Sequence, residues 1–256
     1  MTARSIEKYN GLIVPAILLA VWEIATRAGW ISATLLVPPT QLLGLMFDLL
    51  KTGELLANIQ ASIIRVFIGF SIGSLIGLFL GLAMGLSRKL ERVFAPSFNA
   101  FRQISLFAWI PLLILWFGLG ESTKYIFIAL GAFPAVAINT MGGVANVPKS
   151  YLELAKVYEY SRLETIKKII IPAAFPSIFT GLRLSLGIAW MMVVGAELLA
   201  AENGLGYMMT WGRQYFQMDI VMVGVIVIGV IGILLNTGLS RLENHVLRWR
   251  RTIRST

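Results

Sequence analysis

The sequence predicts an all-α, polytopic membrane protein of about six transmembrane helices, and three observations predict it. First, 57% of the 256 residues are hydrophobic and only 14% are charged, against roughly 25% charged in ordinary soluble domains. That leaves too little polar surface to cover a globule in water. Second, six windows are each long and apolar enough to cross hydrocarbon, which takes about 20 residues. They are Gly11–Ala28, Ile59–Leu86, Val93–Leu119, Thr123–Val144, Ala173–Ala200 and Met218–Leu239. Third, the 22 basic residues behind the net charge of +9 collect between these windows rather than in a stripe suited to nucleic acid.

The same composition excludes several kinds of chemistry. With no cysteine and His245 as the only histidine, a disulfide framework, a thiolate metal site and a His cluster are all ruled out, and no catalytic or metal-ligating set is expected. No G-x-x-x-x-G-K-[ST] stretch is present to wrap phosphates, and no acidic cluster to hold magnesium. The chain is therefore expected to bind no cofactor of its own and no nucleic acid.

Arg4 and Lys8 precede the first window much as in a signal peptide, but Trp22, Glu23 and Arg27 make a poor small-residue cleavage site, so this window reads as a retained span. Pro38-Pro39 then breaks the chain, and Leu42–Leu50 can form a short amphipathic helix at the outer surface. The second window carries Gly69, Gly73, Gly77, Gly81 and Gly85 at intervals of four, along one side of a helix. Such a stripe lets another backbone approach closely; packing within the bundle is the favoured reading, over a dimer seam or a gating surface.

With the amino terminus in the cytoplasm, fifteen of the 22 basic residues fall on inside segments, four lie outside, and Arg65, Arg102 and Arg183 lie within or at the edges of spans. The positive-inside rule then places both termini of this multi-pass membrane protein in the cytoplasm. The segment Asn146–Pro172 cannot cross the bilayer, because charged residues from Lys149 to Lys168 run through it. Two consecutive capping boxes, Ser150/Glu153 and Ser161/Glu164, predict short helices over about 151–159 and 162–170, with Pro172 opening the next span. Tyr151, Leu154 and Tyr158 share one side of the first, and Glu153, Lys156 and Tyr160 present the other. A short two-faced helix on the water side suits docking into a groove on another protein.

These residues resemble a family. Glu153-Leu154-Ala155, three residues, Glu159, nine residues, then Ile169-Ile170-Ile171-Pro172 is similar to the EAA loop of ABC importer permeases, E-A-A-x3-G-x9-I-x-L-P. The spacing matches throughout, and Leu154, Glu159 and Ile171 depart from the pattern. The missing glycine bears on the turn, since a residue with positive φ usually ends one helix and starts the next; its loss points to a junction displaced to Tyr160 or Ser161. Resemblance extends over nearly the whole chain, through Trp109-Ile110-Pro111-Leu112, Trp116-Phe117-Gly118-Leu119-Gly120-Glu121, Gly181-Leu182-Arg183-Leu184 and Ala196-Glu197-Leu198-Leu199-Ala200-Ala201. These resemble the nitrate, taurine, alkanesulfonate and bicarbonate permease group.

The resemblance implies a type I importer fold, with residues 1–256 as one permease domain. It also implies a second permease copy as a homodimer partner, two cytoplasmic ABC ATPase subunits that hold ATP and magnesium, and an extracytoplasmic substrate-binding protein. Residues 151–160 become the coupling helix in the ATPase groove. Leu154 and Tyr158 are then packing anchors, Glu153 and Lys156 polar contacts, and Tyr151, Ala155, Glu159 and Ser161 belong to the same coupling set.

Ionisable groups inside a span mark function by default. In the fifth window Arg183, Gly187, Trp190, Val194 and Glu197 fall on one helical face, expected to look inward. At about 1.5 Å per residue, Arg183 and Glu197 are roughly 20 Å apart and cannot pair. In the third window Arg102, Ser105, Trp109, Leu113 and Trp116 form a comparable stripe, with Pro111 loosening the helix. The expected anion path takes positive potential from Arg102 or Arg183 and its wall from Trp109 and Trp190; packing or snorkelling is the simpler role for each. The leading reading is thus the permease of an ATP-driven importer for a small oxyanion, a sulfonate or taurine ahead of nitrate or bicarbonate. The alternative is an ion-gradient-driven secondary transporter, for which Glu23 and Glu197 are the sparse candidate coupling carboxylates.

Overall fold

The computed structural model describes residues 3–32 and 35–247, with side-chain environments from Ile13 onward. The side chains of Arg4 and Lys8, and Arg248, Arg250, Arg251 and Arg254, which carry much of the expected inside charge, lie outside the described residues. Every regular element among the described residues is helical. The chain forms two compact units. One takes the chain up to Ala61 together with Ala201–Gly229; the other takes Ser62–Ala200 and the chain from Val230 on.

In the first unit, α1 (Ala3–Arg27) turns its apolar side chains outward, with Val14 and Leu18 more than 60% exposed, as suits a lipid-facing helix. The predicted outer helix is α2 (Pro39–Lys51); Pro38 and Pro39 start it where a missing amide hydrogen costs nothing. The Glu23 carboxylate accepts hydrogen bonds from Arg27, from the Thr40 hydroxyl and from the Thr40 amide at the start of α2. α3 (Glu54–Leu86) begins in this unit, where the Asn58 side-chain oxygen accepts from the Gly204 amide ahead of α10 (Leu205–Gln214). α11 (Met218–Val246) also begins here.

In the second unit the glycine stripe of α3 lies directly on α6 (Glu121–Ala145). A Cβ placed on Gly73, Gly77 or Gly81 would stand 2.4–2.6 Å from the carbonyl oxygens of Ala129, Phe133 and Ala137. The stripe is therefore a backbone-to-backbone seam within the bundle. α9 (Ile171–Ala200) grips α6 from another side, through Gly181 beside Asn139 and Gly143 beside Ala174 and Ser177. Val136, Ala137 and Thr140 of α6 have no exposed surface.

The third window is not a single continuous helix. α4 (Arg88–Gln103) ends at two extended residues, Ile104 and Ser105, and the chain then bends by 93° into a 3₁₀ turn (Leu106–Trp109) and α5 (Ile110–Phe117). Pro111 cannot donate to the Phe107 carbonyl, so regular helix starts around it rather than running through it. The Arg102–Trp116 stripe is accordingly divided between two helices. Among the described residues four helices are long and apolar enough to span, or five if the bent pair is counted as one, and α1 is not among them.

The charged segment between α6 and α9 differs from expectation in two further ways. α7 (Lys149–Val157) begins one residue before Ser150 on a Pro148 cap, with no side-chain cap, so the first capping box does not form. The second does: Ser161 and Glu164 cap α8 (Arg162–Thr165) reciprocally. From there a π turn (Ile166–Ile170) leads without a break into α9. Its wider i→i−5 bond, from the Ile171 amide to the Ile166 carbonyl, sits directly before Pro172, which has no amide hydrogen to continue an α-helical ladder.

Gly77→Leu is expected to destabilise the solubilised protein by about 2–3 kcal/mol, because the Phe133 backbone cannot retreat. Gly142→Ala, where a new Cβ meets nothing within 4 Å, should not lower the melting temperature and should raise it slightly by helix propensity. Thermal unfolding in detergent compares the two.

Candidate functional site

Two places concentrate polar chemistry and unpartnered apolar surface. The first is α7 and the turn after it. Tyr151, Leu154, Val157 and Tyr158 are each at least half exposed, while Ala155 is buried and Leu152 half-buried against the body of the unit. Glu153, Lys156 and Glu159 are exposed at the margins of that face. Val157, the most exposed of the four at 79%, escaped the sequence reading, although its spacing of three from Leu154 was the available signal.

The turn is built on a residue unsuited to it. Glu159 adopts φ +51°, at a cost of about 1 kcal/mol relative to glycine. The junction therefore stays at Glu159 and does not move to Tyr160 or Ser161. Two bonds hold it there: the Tyr160 amide donates to the Ala155 carbonyl at 2.9 Å, and the Glu159 amide to the Lys156 carbonyl at 3.0 Å. Together they are the Schellman pattern, which satisfies the free carbonyls at a helix end. Because the chain leaves α7 at this point, Tyr160 does not join the opposite face; it stacks on Tyr158 with centroids 5.8 Å apart. Lys168 lies over the Tyr160 ring and bonds Glu164, whose carboxylate also caps Ser161. This chain of contacts holds the exposed face in a fixed position. Beside it, Pro148, Tyr151, Leu154, Lys168, Ile169 and Pro172 line a groove of about 550 Å³.

The second place is a buried ionic cluster on α3, α6 and α9, which sequence reasoning missed as a group. Glu197 is 1% exposed; Ser62 Oγ lies 2.8 and 2.9 Å from its two oxygens, and Arg65 Nη1 donates to Oε1 at 2.8 Å. Arg65 also grips Glu121 through Nε and Nη2 at 2.8 and 2.7 Å, and Lys124 Nζ reaches Glu121 Oε1 at 2.7 Å. Two cations and two carboxylates balance, as desolvated charges must. The available signal was the presence of Arg65 inside a predicted span with Glu197 in another.

The remaining predicted residues are dispersed. Arg183 pairs with Glu243 of α11 rather than standing alone. Arg102 is exposed, 3.3 Å from the Asn99 side-chain oxygen. Trp109 packs on Phe101 across the α4–α5 bend, with centroids 5.5 Å apart. Trp190 is buried where α11 offers Gly232. Ala174, Ile178, Ser185, Ala189 and Val193 of α9 are buried; on the predicted Arg183–Glu197 face Trp190 and Glu197 are buried, Arg183 and Val194 half-buried and Gly187 exposed. Small residues of α9 let α6 come close.

Residues 73–252 match the family model described as "Binding-protein-dependent transport system inner membrane component". The chain is 40% identical, over 94% of its length and 87% of the relative's, to the Bacillus subtilis (strain 168) permease SsuC, named for aliphatic sulfonates transport. It is 33% identical, over 91% of its length and 87% of the relative's, to the taurine transport system permease protein TauC of Escherichia coli (strain K12). Among solved structures, the inward-facing MetNI methionine ABC transporter superposes with a TM-score of 0.65 at 19% identity, covering 75% of this chain and 95% of that one, a likeness of fold.

Glu197→Gln leaves Arg65 and Lys124 sharing one carboxylate and is expected to destabilise the protein by about 3 kcal/mol. Adding Arg65→Gln restores neutrality, so the double variant should lose less than the sum of the two single losses. Unfolding of the four proteins in one detergent measures the difference.

Proposed function

We propose a function that starts from family membership: this chain belongs to the inner-membrane components of binding-protein-dependent transport systems, and it carries a small oxyanion inward by alternating access. The observation that carries the reading is the exposed Tyr151–Leu154–Val157–Tyr158 face of α7, held by the Schellman turn at Glu159 and the Ser161 capping box. An apolar face fixed this firmly and left open on a short helix is a docking element. In this reading it seats in a cytoplasmic ABC ATPase, with Glu153, Lys156 and Glu159 as polar contacts at the rim. ATP and magnesium are held by that partner, because this chain has no phosphate-binding loop, and the chain itself is not an enzyme.

The full assembly comprises two copies of residues 1–256 as permease domains with cytoplasmic termini, two ATPase subunits and an extracytoplasmic substrate-binding protein. A sulfonate, taurine or an alkanesulfonate, is the favoured cargo, since the relatives named for these compounds match over nine-tenths of the chain. Nitrate and bicarbonate share the same charge chemistry. Arg102, exposed beside the α4–α5 bend, is better placed than Arg183 to lend positive potential to the path, because Arg183 already faces Glu243. Trp109 and Trp190 shape its wall. The ion-gradient alternative needs a titrating carboxylate within the spans, whereas Glu197 is held by Arg65 and Ser62 and Glu23 by Arg27 and Thr40.

Leu154→Asp and Val157→Asp should each cut co-purification of the ATPase by about tenfold or more, as loss of a central packing contact does, with the permease still folded. Retained ATPase after both changes would sink the docking role. Arg102→Gln should lower ATP-dependent uptake of taurine into vesicles with the complex intact; uptake that runs on a proton or sodium gradient without ATPase would instead establish the alternative.

A further inference from the structure

The cluster around Arg65 is unequal in a way that its charge balance conceals. Glu197 is fully enclosed and also held by Ser62, and it serves as a buried counter-charge to Arg65. The Arg65 and Lys124 side chains are 4% and 6% exposed, yet the carboxylate they share, Glu121, is 45% exposed. Glu121 offers its two oxygens edge-on to the Nε and Nη2 of Arg65, and one of them also to Lys124. That is the geometry in which a guanidinium fork takes any planar or tetrahedral oxyanion. The backbone before Glu121 is open as well: a Cβ at Gly118 or Gly120 would meet nothing within 4 Å.

We propose that Arg65 and Lys124 form an oxyanion-binding site whose resident occupant is the tethered Glu121 carboxylate, exchangeable for a free oxyanion such as a sulfonate. The proposal rests on the importer reading and adds a place where the cargo pauses. The physical reason is charge conservation. If Glu121 swings to water with no replacement, the nearly buried Arg65 and Lys124 lose the counter-charge they share, and an uncompensated buried charge is strongly unfavourable. If an external oxyanion enters as Glu121 leaves, the buried cluster stays neutral and both donor sets stay satisfied. Neutral solutes and cations cannot make the exchange. The site thus selects by charge and by possession of two oxygens within reach of one fork, not by the rest of the molecule.

The test uses the assembled permease–ATPase complex in maltoside detergent, without nucleotide or binding protein, and equilibrium dialysis of radiolabelled methanesulfonate. Glu121→Gln removes the resident charge and should tighten methanesulfonate binding by about tenfold or more over wild type, with acetate and nitrate competing. Adding Arg65→Gln to that variant should abolish the gain. A folded, assembled Glu121→Gln complex that binds methanesulfonate no better than wild type overturns the proposal, as does a gain that survives Arg65→Gln. Should Glu121→Gln not assemble, Glu121→Asp serves: its shorter carboxylate keeps the charge but cannot span the fork, so tighter binding supports the site and unchanged binding overturns it. Phosphatidylglycerol supplied in the same micelles is the control for source; a preference for it over methanesulfonate overturns the assignment to a free solute. Because ATPase co-purification and uptake are read separately, failure of the site leaves the importer reading standing, and loss of the importer reading would show first in those measurements.

Discussion

In hydrocarbon two helices gain nothing by burying apolar surface against one another, so they must be held by close approach of their backbones. α6 meets that requirement on two sides. The α3 glycines bring its carbonyls within reach of α3 backbone, and Gly181 of α9 settles beside Asn139. The remainder of the second unit is arranged around this contact. Small side chains of α9 turn towards α6, and Leu115, Val230 and Ile233 point outward to surroundings in which apolar surface is not penalised.

The same close approach explains why charge can be tolerated inside. Helices this near one another deliver side chains from three segments to one point, so Arg65 reaches Glu197 and Glu121 without loss of packing. A lone arginine at that depth would cost several kcal/mol; a neutral, hydrogen-bonded group of two cations and two carboxylates offsets most of that cost. The asymmetry within the group, one carboxylate enclosed and the other at the surface, gives the cluster a chemical possibility beyond stability.

In the charged, exposed segment between α6 and α9 the constraint is different, because water is available and backbone groups can be satisfied locally. There the chain accepts strain at Glu159 and a π turn before Pro172, and covers both with explicit bonds. Strain of this kind persists when surrounding contacts over-determine it. Here those contacts are the tyrosine stack, the lysine above it and the Ser161–Glu164 cap, and their joint effect is to hold four apolar side chains rigidly at the surface.

Features governed by local periodicity and composition were legible in the residues alone. The helical class, the short helix at α2, the glycine seam, the two-faced helix at 149–157 and the Ser161 capping box all depend on spacings of three or four residues or on neighbours in sequence. Other features depended on which segments meet. The bend at Ile104–Ser105, the facing of α9, the pairing of Arg183 with Glu243 and the gathering of Ser62, Arg65, Glu121, Lys124 and Glu197 join residues up to 135 positions apart. Periodicity along one helix says which residues share a face but not which neighbour that face will meet. In a bundle packed by small residues, the neighbour decides whether a charge is a free station or half of a pair.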